Sequence, residues 1–362
     1  MPLSPILIMA GGTGGHVYPA LAVADYLREH GVPLFWLGTH KGLESRVVPS
    51  RGYTLLTIDM AGVRGKGWKG WVLAPLRLFL AVIQSLRLLL RCRPIAVLGM
   101  GGFVSAPGGI AAWLLGVPLV IHEQNAKAGF SNRLLSHLAR VVMQGFPDTF
   151  TASARVRTTG NPVRADISLI APPQERFAKR GSERLHLLVL GGSQGSRALN
   201  SLVPGALTRV PGSVRFDVLH QTGDRHLQDA QQAYRNAGIC SARVIPYIED
   251  MAGAYAWADL VICRAGALTI AELCVVGIAS ILVPYPFAVD DHQTANARRL
   301  TDAGGALLLQ ESNLNENILA QHLGDLASNR ARLLEMARKC RGLGQPEATR
   351  LVGDTCLEVA RA

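Results

Sequence analysis

Two kinds of residue in this chain could do chemistry: side chains able to move a proton, and glycine-rich turns able to bring backbone N–H groups against an anion. His16 is the first of these. It ends the run Gly11-Gly-Thr13-Gly14-Gly15-His16, directly after the apolar segment 6–10. Read as a buried strand and the turn that follows, this segment projects an imidazole from the C-terminal end of a strand, where it could serve as a general base near neutral pH. The glycines admit close backbone approach to an anionic group. A weaker candidate for the base is Glu123, within His122-Glu-Gln-Asn125 after the apolar Leu119-Val-Ile.

The stretch 258–299 reads as strand, turn, helix, strand, loop, helix. Residues 260–263 suit a buried parallel strand and Arg264 to Gly266 a turn. A helix is predicted from near Ala267, with Leu268, Thr269, Ile270, Ala271 and Glu272 in its opening turns. A helix start carries unpaired N–H groups and about half a positive charge, which can hold a diphosphate without a metal. Glu272 could accept hydrogen bonds from two neighbouring ribose hydroxyls. Pro284-Tyr-Pro-Phe287 is predicted as an extended exit from a strand. After it, Asp290-Asp-His-Gln293 and Asn296 are expected to present hydrogen-bonding side chains to sugar hydroxyls just before the next helix. No D-x-D pair is present to place a metal on the diphosphate, so no metal and no other cofactor is expected.

These residues need strands and helices to position them, and 362 residues with 38 glycines and 49% apolar side chains are enough for two α/β domains. The chain runs through one strand–turn–helix cycle from residue 6 and opens another at 185–190, followed by Gly191-Gly-Ser193-Gln-Gly-Ser-Arg197. Gly160-Asn-Pro-Val-Arg164 marks the boundary between them. Strands alternating with helices predict parallel, Rossmann-like sheets, whose strand ends are favoured ligand sites. A nicotinamide cofactor is disfavoured. The first turn is not G-x-G-x-x-G, and the second strand ends at Gly38-Thr-His rather than at an acid for an adenosine ribose. Pro19 is read as opening the first helix. The six cysteines lack metal-ligand spacing and are expected to be reduced core residues. No signal peptide is expected.

The formal net charge of +11 suits a phosphorylated, nucleic-acid or membrane partner. No acidic residue occurs between Asp59 and Glu123, whereas Arg64, Lys66, Lys69, Arg77, Arg87, Arg91 and Arg93 do. No nucleic-acid motif accompanies them, so an anionic membrane surface is the preferred partner and nucleic acid is not expected. A basic loop at 62–68 leads into an apolar helix predicted over 70–91. At about 100° per residue its Arg77, Gln84, Arg87 and Arg91 share one narrow stripe, which excludes a transmembrane span. Leu73, Leu76, Phe79 or Leu80 could enter a bilayer surface from the broad apolar face.

Taken in order, GGTGGH, MGGFVSAPGG, HEQN, GNPVR, GGSQG, ALTIAE and DDHQ closely resemble the MurG family of UDP-N-acetylglucosamine transferases across nearly the whole chain. The resemblance implies the GT-B fold, two Rossmann-like parallel-sheet domains facing across a cleft. The first would span 1–163, bind acceptor and membrane, and be joined by a returning C-terminal helix within 344–362; the second, 164–343, would bind UDP-N-acetylglucosamine. It also implies inverting transfer of N-acetylglucosamine to the 4-hydroxyl of undecaprenyl-diphosphate-linked N-acetylmuramyl-pentapeptide, at the cytoplasmic face of the membrane. By the same resemblance Asn125 lies near the sugar nucleotide, Thr13, Gly14 and Gly15 lie near the lipid diphosphate, and Arg164 assists with phosphate charge. Ser193 and Gln293 join the donor site, where the backbone of Ile248 recognises uracil. The alternatives are another GT-B transferase acting on a glycolipid or natural product, or a non-catalytic membrane-associated nucleotide-sugar binder.

Overall fold

Short runs of β-branched and leucine residues, bounded by glycine or proline, make the strands, and longer amphipathic runs between them return each strand parallel to the last. The computed structural model describes residues 4–60, 74–180, 184–192, 195–211 and 214–361. They fall into two units, 1–164 with 346–362 and 165–345.

The first unit runs β1 (Ile6–Met9), α1 (Gly14–Glu29), β2 (Leu34–Gly38), α2 (Glu44–Ser50), β3 (Thr54–Thr57), α3 (Ala74–Cys92), β4 (Ala96–Gly99), α4 (Ser105–Leu114), β5 (Leu119–Glu123), α5 (Phe130–Leu135), β6 (Val141–Gln144) and β7 (Val156–Thr158). Its strands are all parallel, in the order β3-β2-β1-β4-β5-β6-β7. Successive side chains of a strand face opposite sides, and β1 shows the consequence. Ile6 and Ile8 join one core with Val17, Leu21 and Leu27, while Leu7 and Met9 join another with Ala81 and Ala111.

The second unit runs α6 (Ala165–Ser168), α7 (Pro173–Ala178), β8 (Leu185–Leu190), α8 (Arg197–Arg209), β9 (Phe216–Gln221), α9 (Leu227–Asn236), β10 (Arg243–Ile245), α10 (Met251–Trp257), β11 (Leu260–Cys263), α11 (Ala267–Val276), β12 (Ala279–Leu282), α12 (His292–Asp302), β13 (Ala306–Leu308), α13 (Glu316–Ala327) and α14 (Arg330–Gly342). Its parallel sheet has the order β10-β9-β8-β11-β12-β13. The last helix, α15 (Ala348–Arg361), belongs to the first unit. There Val352, Cys356 and Val359 join the core that contains Val17 and Leu27, and the Tyr26 hydroxyl donates to Asp354 at 2.7 Å.

Several expectations are corrected. Pro19 does not open α1; the helix starts five residues earlier, inside the glycine turn, and proline sits within it. Of the six cysteines, Cys263, Cys274, Cys340 and Cys356 are buried, but Cys92 is only partly so and Cys240 is exposed. The basic loop at 62–68, Lys69, Leu73 and the predicted start of the apolar helix at residue 70 lie outside the described residues.

Candidate active site

In both sheets the strand order reverses beside the first strand of the unit, between β1 and β4 and between β8 and β11. At such a switch point the connections diverge to opposite faces and leave a crevice at the strand C-termini. His16 emerges beside the first of these points and the start of α11 beside the second.

In the first unit, the turns after β1 and β4 press together. A Cβ on Gly102, whose φ is +84°, would lie 2.2 Å from the Gly11 carbonyl oxygen, and one on Gly101 would lie 2.8 Å from His16 Nδ1. Only glycine permits this approach. Thr13 is the extended N-cap of α1 (φ −106°, ψ 160°), and its side chain makes no capping bond. Gly14, Gly15 and His16 therefore form the first helical turn rather than a loop. Buried Glu44 supports the turn from beneath, accepting from Gly12 N, Thr39 N and Thr39 Oγ1 at 3.0, 3.0 and 2.8 Å.

His16 is partly exposed, with Nδ1 2.9 Å from Gln124 Oε1. Behind it, His122 and Glu123 belong to β5, and alternation along the strand sends them different ways. His122 is fully buried beside the Gly160 carbonyl, and burial pushes its pKa down to about 4. Glu123 is corrected as a base. It is 2% exposed, and both oxygens are engaged. Oε1 accepts from the backbone and side-chain amides of Asn125, each at 3.0 Å, and Oε2 accepts from Gly129 N at 3.0 Å and Asn132 Nδ2 at 2.9 Å. Four donors on a buried carboxylate make it the anchor of the following loop, including Asn125, and leave it no approach to a hydroxyl. Arg164, partly exposed, is the last residue of this unit's first segment.

In the second unit, Gly266 is the extended N-cap of α11 and has no side chain with which to cap it. By contrast, Ser196, Asp250, Asn315 and Asn329 cap α8, α10, α13 and α14 through their side chains. Ala267, Leu268, Thr269, Ile270, Ala271 and Glu272 all lie on α11, in its first six positions. Ile270 is 1% exposed, so its side chain is core and only its backbone can serve a ligand. Glu272 is also buried and accepts from the Tyr255 hydroxyl at 2.9 Å, which steadies its carboxylate. Ile248 is buried between β10 and α10. Ser193 lies outside the described residues.

The segment after β12 differs from its expected form. Pro286 and Phe287 turn rather than extend, and Asp290 and Asp291 both adopt left-handed backbone (φ 52° and 51°), a conformation aspartate tolerates better than most residues. This reversal starts α12 at His292, so His292 and Gln293 are helical. It also brings Gln293 Oε1 to within 2.8 Å of Tyr285 N. Asn296 does not present its amide to solvent; it is buried and donates to the Ala265 carbonyl at 3.1 Å, bracing the turn before α11.

Two doubly wound parallel sheets, each with a glycine turn and a helix start without a side-chain cap at its switch point, are the two Rossmann-like halves of the GT-B architecture. The chain belongs to glycosyltransferase family 28, whose N-terminal domain matches residues 6–144 and whose C-terminal domain matches residues 186–351. It is 53% identical over 356 residues to the UDP-N-acetylglucosamine--N-acetylmuramyl-(pentapeptide) pyrophosphoryl-undecaprenol N-acetylglucosamine transferase of Nitrosococcus oceani, with 98% of each chain covered. It is 55% identical over 357 residues to the transferase of the same name from Alkalilimnicola ehrlichii, with 99% of each covered. A crystal structure of MurG from Acinetobacter baumannii superposes with a TM-score of 0.84 at 42% identity, covering 98% of this chain and 99% of that one.

Sequence reasoning gave no role to Gln124, Glu44 or Tyr255. For Gln124 a signal existed, since alternation from β5 places it on the side of His122 and opposite Glu123. For Glu44 and Tyr255 there was none, because the partners that tie them to the site, Gly12 and Glu272, lie 32 and 17 residues away.

Proposed function

We propose that this chain is an inverting transferase moving N-acetylglucosamine from UDP-N-acetylglucosamine to the 4-hydroxyl of undecaprenyl-diphosphate-linked N-acetylmuramyl-pentapeptide. What carries the substrate assignment is identity above one half, end to end, with two transferases of that name. The site supports a mechanism. The second unit binds the donor: the start of α11 faces the diphosphate, Glu272 takes the ribose hydroxyls, and Gln293 and the backbone of Ile248 contact sugar and uracil. The first unit binds the acceptor, its diphosphate at Thr13, Gly14 and Gly15, with Asn125 and Arg164 at the reacting end. The acceptor oxygen attacks the anomeric carbon from the face opposite UDP. As the new C–O bond forms, the bond to the β-phosphate oxygen breaks, and the hydroxyl proton passes to His16. UDP leaves with the bonding pair, its charge stabilised by helix N-termini and Arg164.

A lipid-linked acceptor requires work at a bilayer. Among the described residues no helix is long and apolar enough to cross one. On α3, Leu76, Phe79 and Leu80 are 56%, 61% and 49% exposed beside Arg77, which supports peripheral attachment to the anionic cytoplasmic face of the membrane. The deciding experiment follows labelled N-acetylglucosamine from UDP to the lipid-linked muramyl-pentapeptide. Label in a disaccharide lipid of inverted anomeric configuration is expected. Donor binding without transfer to that lipid would overturn the proposal.

A further inference from the structure

We infer that Gln124 is a positioning residue that holds the neutral imidazole of His16 in the tautomer protonated on Nδ1, leaving the Nε2 lone pair for the acceptor proton. The inference rests on His16 being the base. It begins at an atom with no choice of role. The Gly160 carbonyl can only accept, so His122, whose Nε2 lies 2.9 Å away, donates from that nitrogen. His122 is neutral near pH 7, because burial disfavours its charged form, and its Nδ1 then bears a lone pair. Gln124 Nε2 lies 3.2 Å from that Nδ1 and 2.9 Å from the Met100 carbonyl oxygen.

Two acceptors at one end of the amide leave a single orientation, with the NH2 group between them and the oxygen towards His16. Oε1 can only accept, and it lies 2.9 Å from His16 Nδ1. The opposite tautomer of His16 would set one lone pair against another. The row therefore runs in one direction, from His16 Nδ1–H through Gln124 and His122 to Gly160. His122 and Gln124 are both buried, 0% and 1% exposed, so water does not compete for the bonds that fix the amide's orientation. A carboxylate at position 124 would also orient the ring, but would favour the imidazolium; an amide directs the proton without adding charge.

The test is the nitrogen-15 spectrum of the full-length chain at a pH where its histidines are neutral, with the His16 signals assigned by their loss in His16→Gln. In the wild type, Nδ1 of His16 is expected to be the protonated nitrogen. Gln124→Leu should admit the Nε2-protonated form and lower kcat by about ten- to a hundredfold, a share of the 10²–10⁴ that general-base catalysis supplies, with little change in KM for the donor. In a His16→Gln background the same substitution should have almost no further effect on kcat. A wild-type His16 protonated on Nε2 would overturn the inference, and that spectrum decides even where Gln124→Leu fails to fold. An equal loss from Gln124→Leu with and without His16 would also overturn it. Turnover of His16→Gln within a few-fold of wild type would instead remove His16 as the base while leaving the tautomer measurement intact.

Discussion

Each unit buries an imidazole, and the two are wired to different ends. In the second unit His220 sits between Asn200 and Tyr234. Its Nε2 donates to Asn200 Oδ1 at 3.0 Å, the Tyr234 hydroxyl donates to its Nδ1 at 3.0 Å, and Asn200 Nδ2 donates to the Thr222 carbonyl at 3.0 Å. All three side chains are buried. In the first unit His122 begins a row that passes through Gln124 and ends at the partly exposed His16. A buried histidine is thus no sign of chemistry by itself. What matters is whether its hydrogen bonds lead to an atom that a substrate can reach.

The largest effect should separate the two arrangements outright. His16→Ala should lower turnover by about two to four orders of magnitude with an unchanged melting temperature, as measured by single-substrate kinetics and thermal denaturation. Tyr234→Phe should do the reverse. It leaves the lone pair of His220 unsatisfied in the core at a cost of about 1–3 kcal/mol, which lowers melting by about 2–4 °C per kcal/mol for a unit of this size and leaves turnover near wild type. A Tyr234→Phe protein that melts normally and turns over slowly would erase the distinction.

Acid should weaken both units. Burial pushes the pKa of His122 down to about 4 and that of His220 down to about 3, both below the ordinary value near 6.5. The unfolded chain therefore takes up these protons first. The stability tied to neutral imidazole is full above about pH 6.5 and is lost as pH falls towards the folded values, by on the order of 3–5 kcal/mol for each. Urea midpoints at pH 7 and pH 5 check the sign, and a chain more stable at pH 5 contradicts it. The smallest expected effect is none. With helix starts carrying the phosphate charge, UDP binding should be the same in excess EDTA as in magnesium, and a loss that magnesium restores would refute this account of the donor site.

Much of this architecture was legible because parallel strands buried on both faces are continuous apolar runs, and because glycine marks the turns where β1 and β4 come together. The turn ending at Gly266 predicts a helix from near Ala267, and α11 begins there. The start of α1 is harder to read, because Gly14 and Gly15 suggest a loop, whereas Thr13 occupies the N-cap position of a helix that accommodates Pro19. The roles of single polar residues were the least legible. Glu123 and His122 are adjacent in β5, yet one anchors a loop and the other sits under Gln124; that difference depends on partners as far away as Gly160. The reversal at Asp290 and Asp291 was hidden for a related reason, since left-handed aspartates carry no strong local signature.

We propose a division of labour, with donor recognition in the second unit and proton removal in the first. It is tested most directly by titrating UDP into full-length wild type, Glu272→Ala and His16→Ala in a calorimeter. Glu272→Ala removes charge-assisted hydrogen bonds worth about 1.5–3 kcal/mol and should weaken UDP by about ten- to a hundredfold, while His16→Ala binds UDP as the wild type does. Unchanged affinity in Glu272→Ala, or a comparable loss in His16→Ala, would contradict the claim.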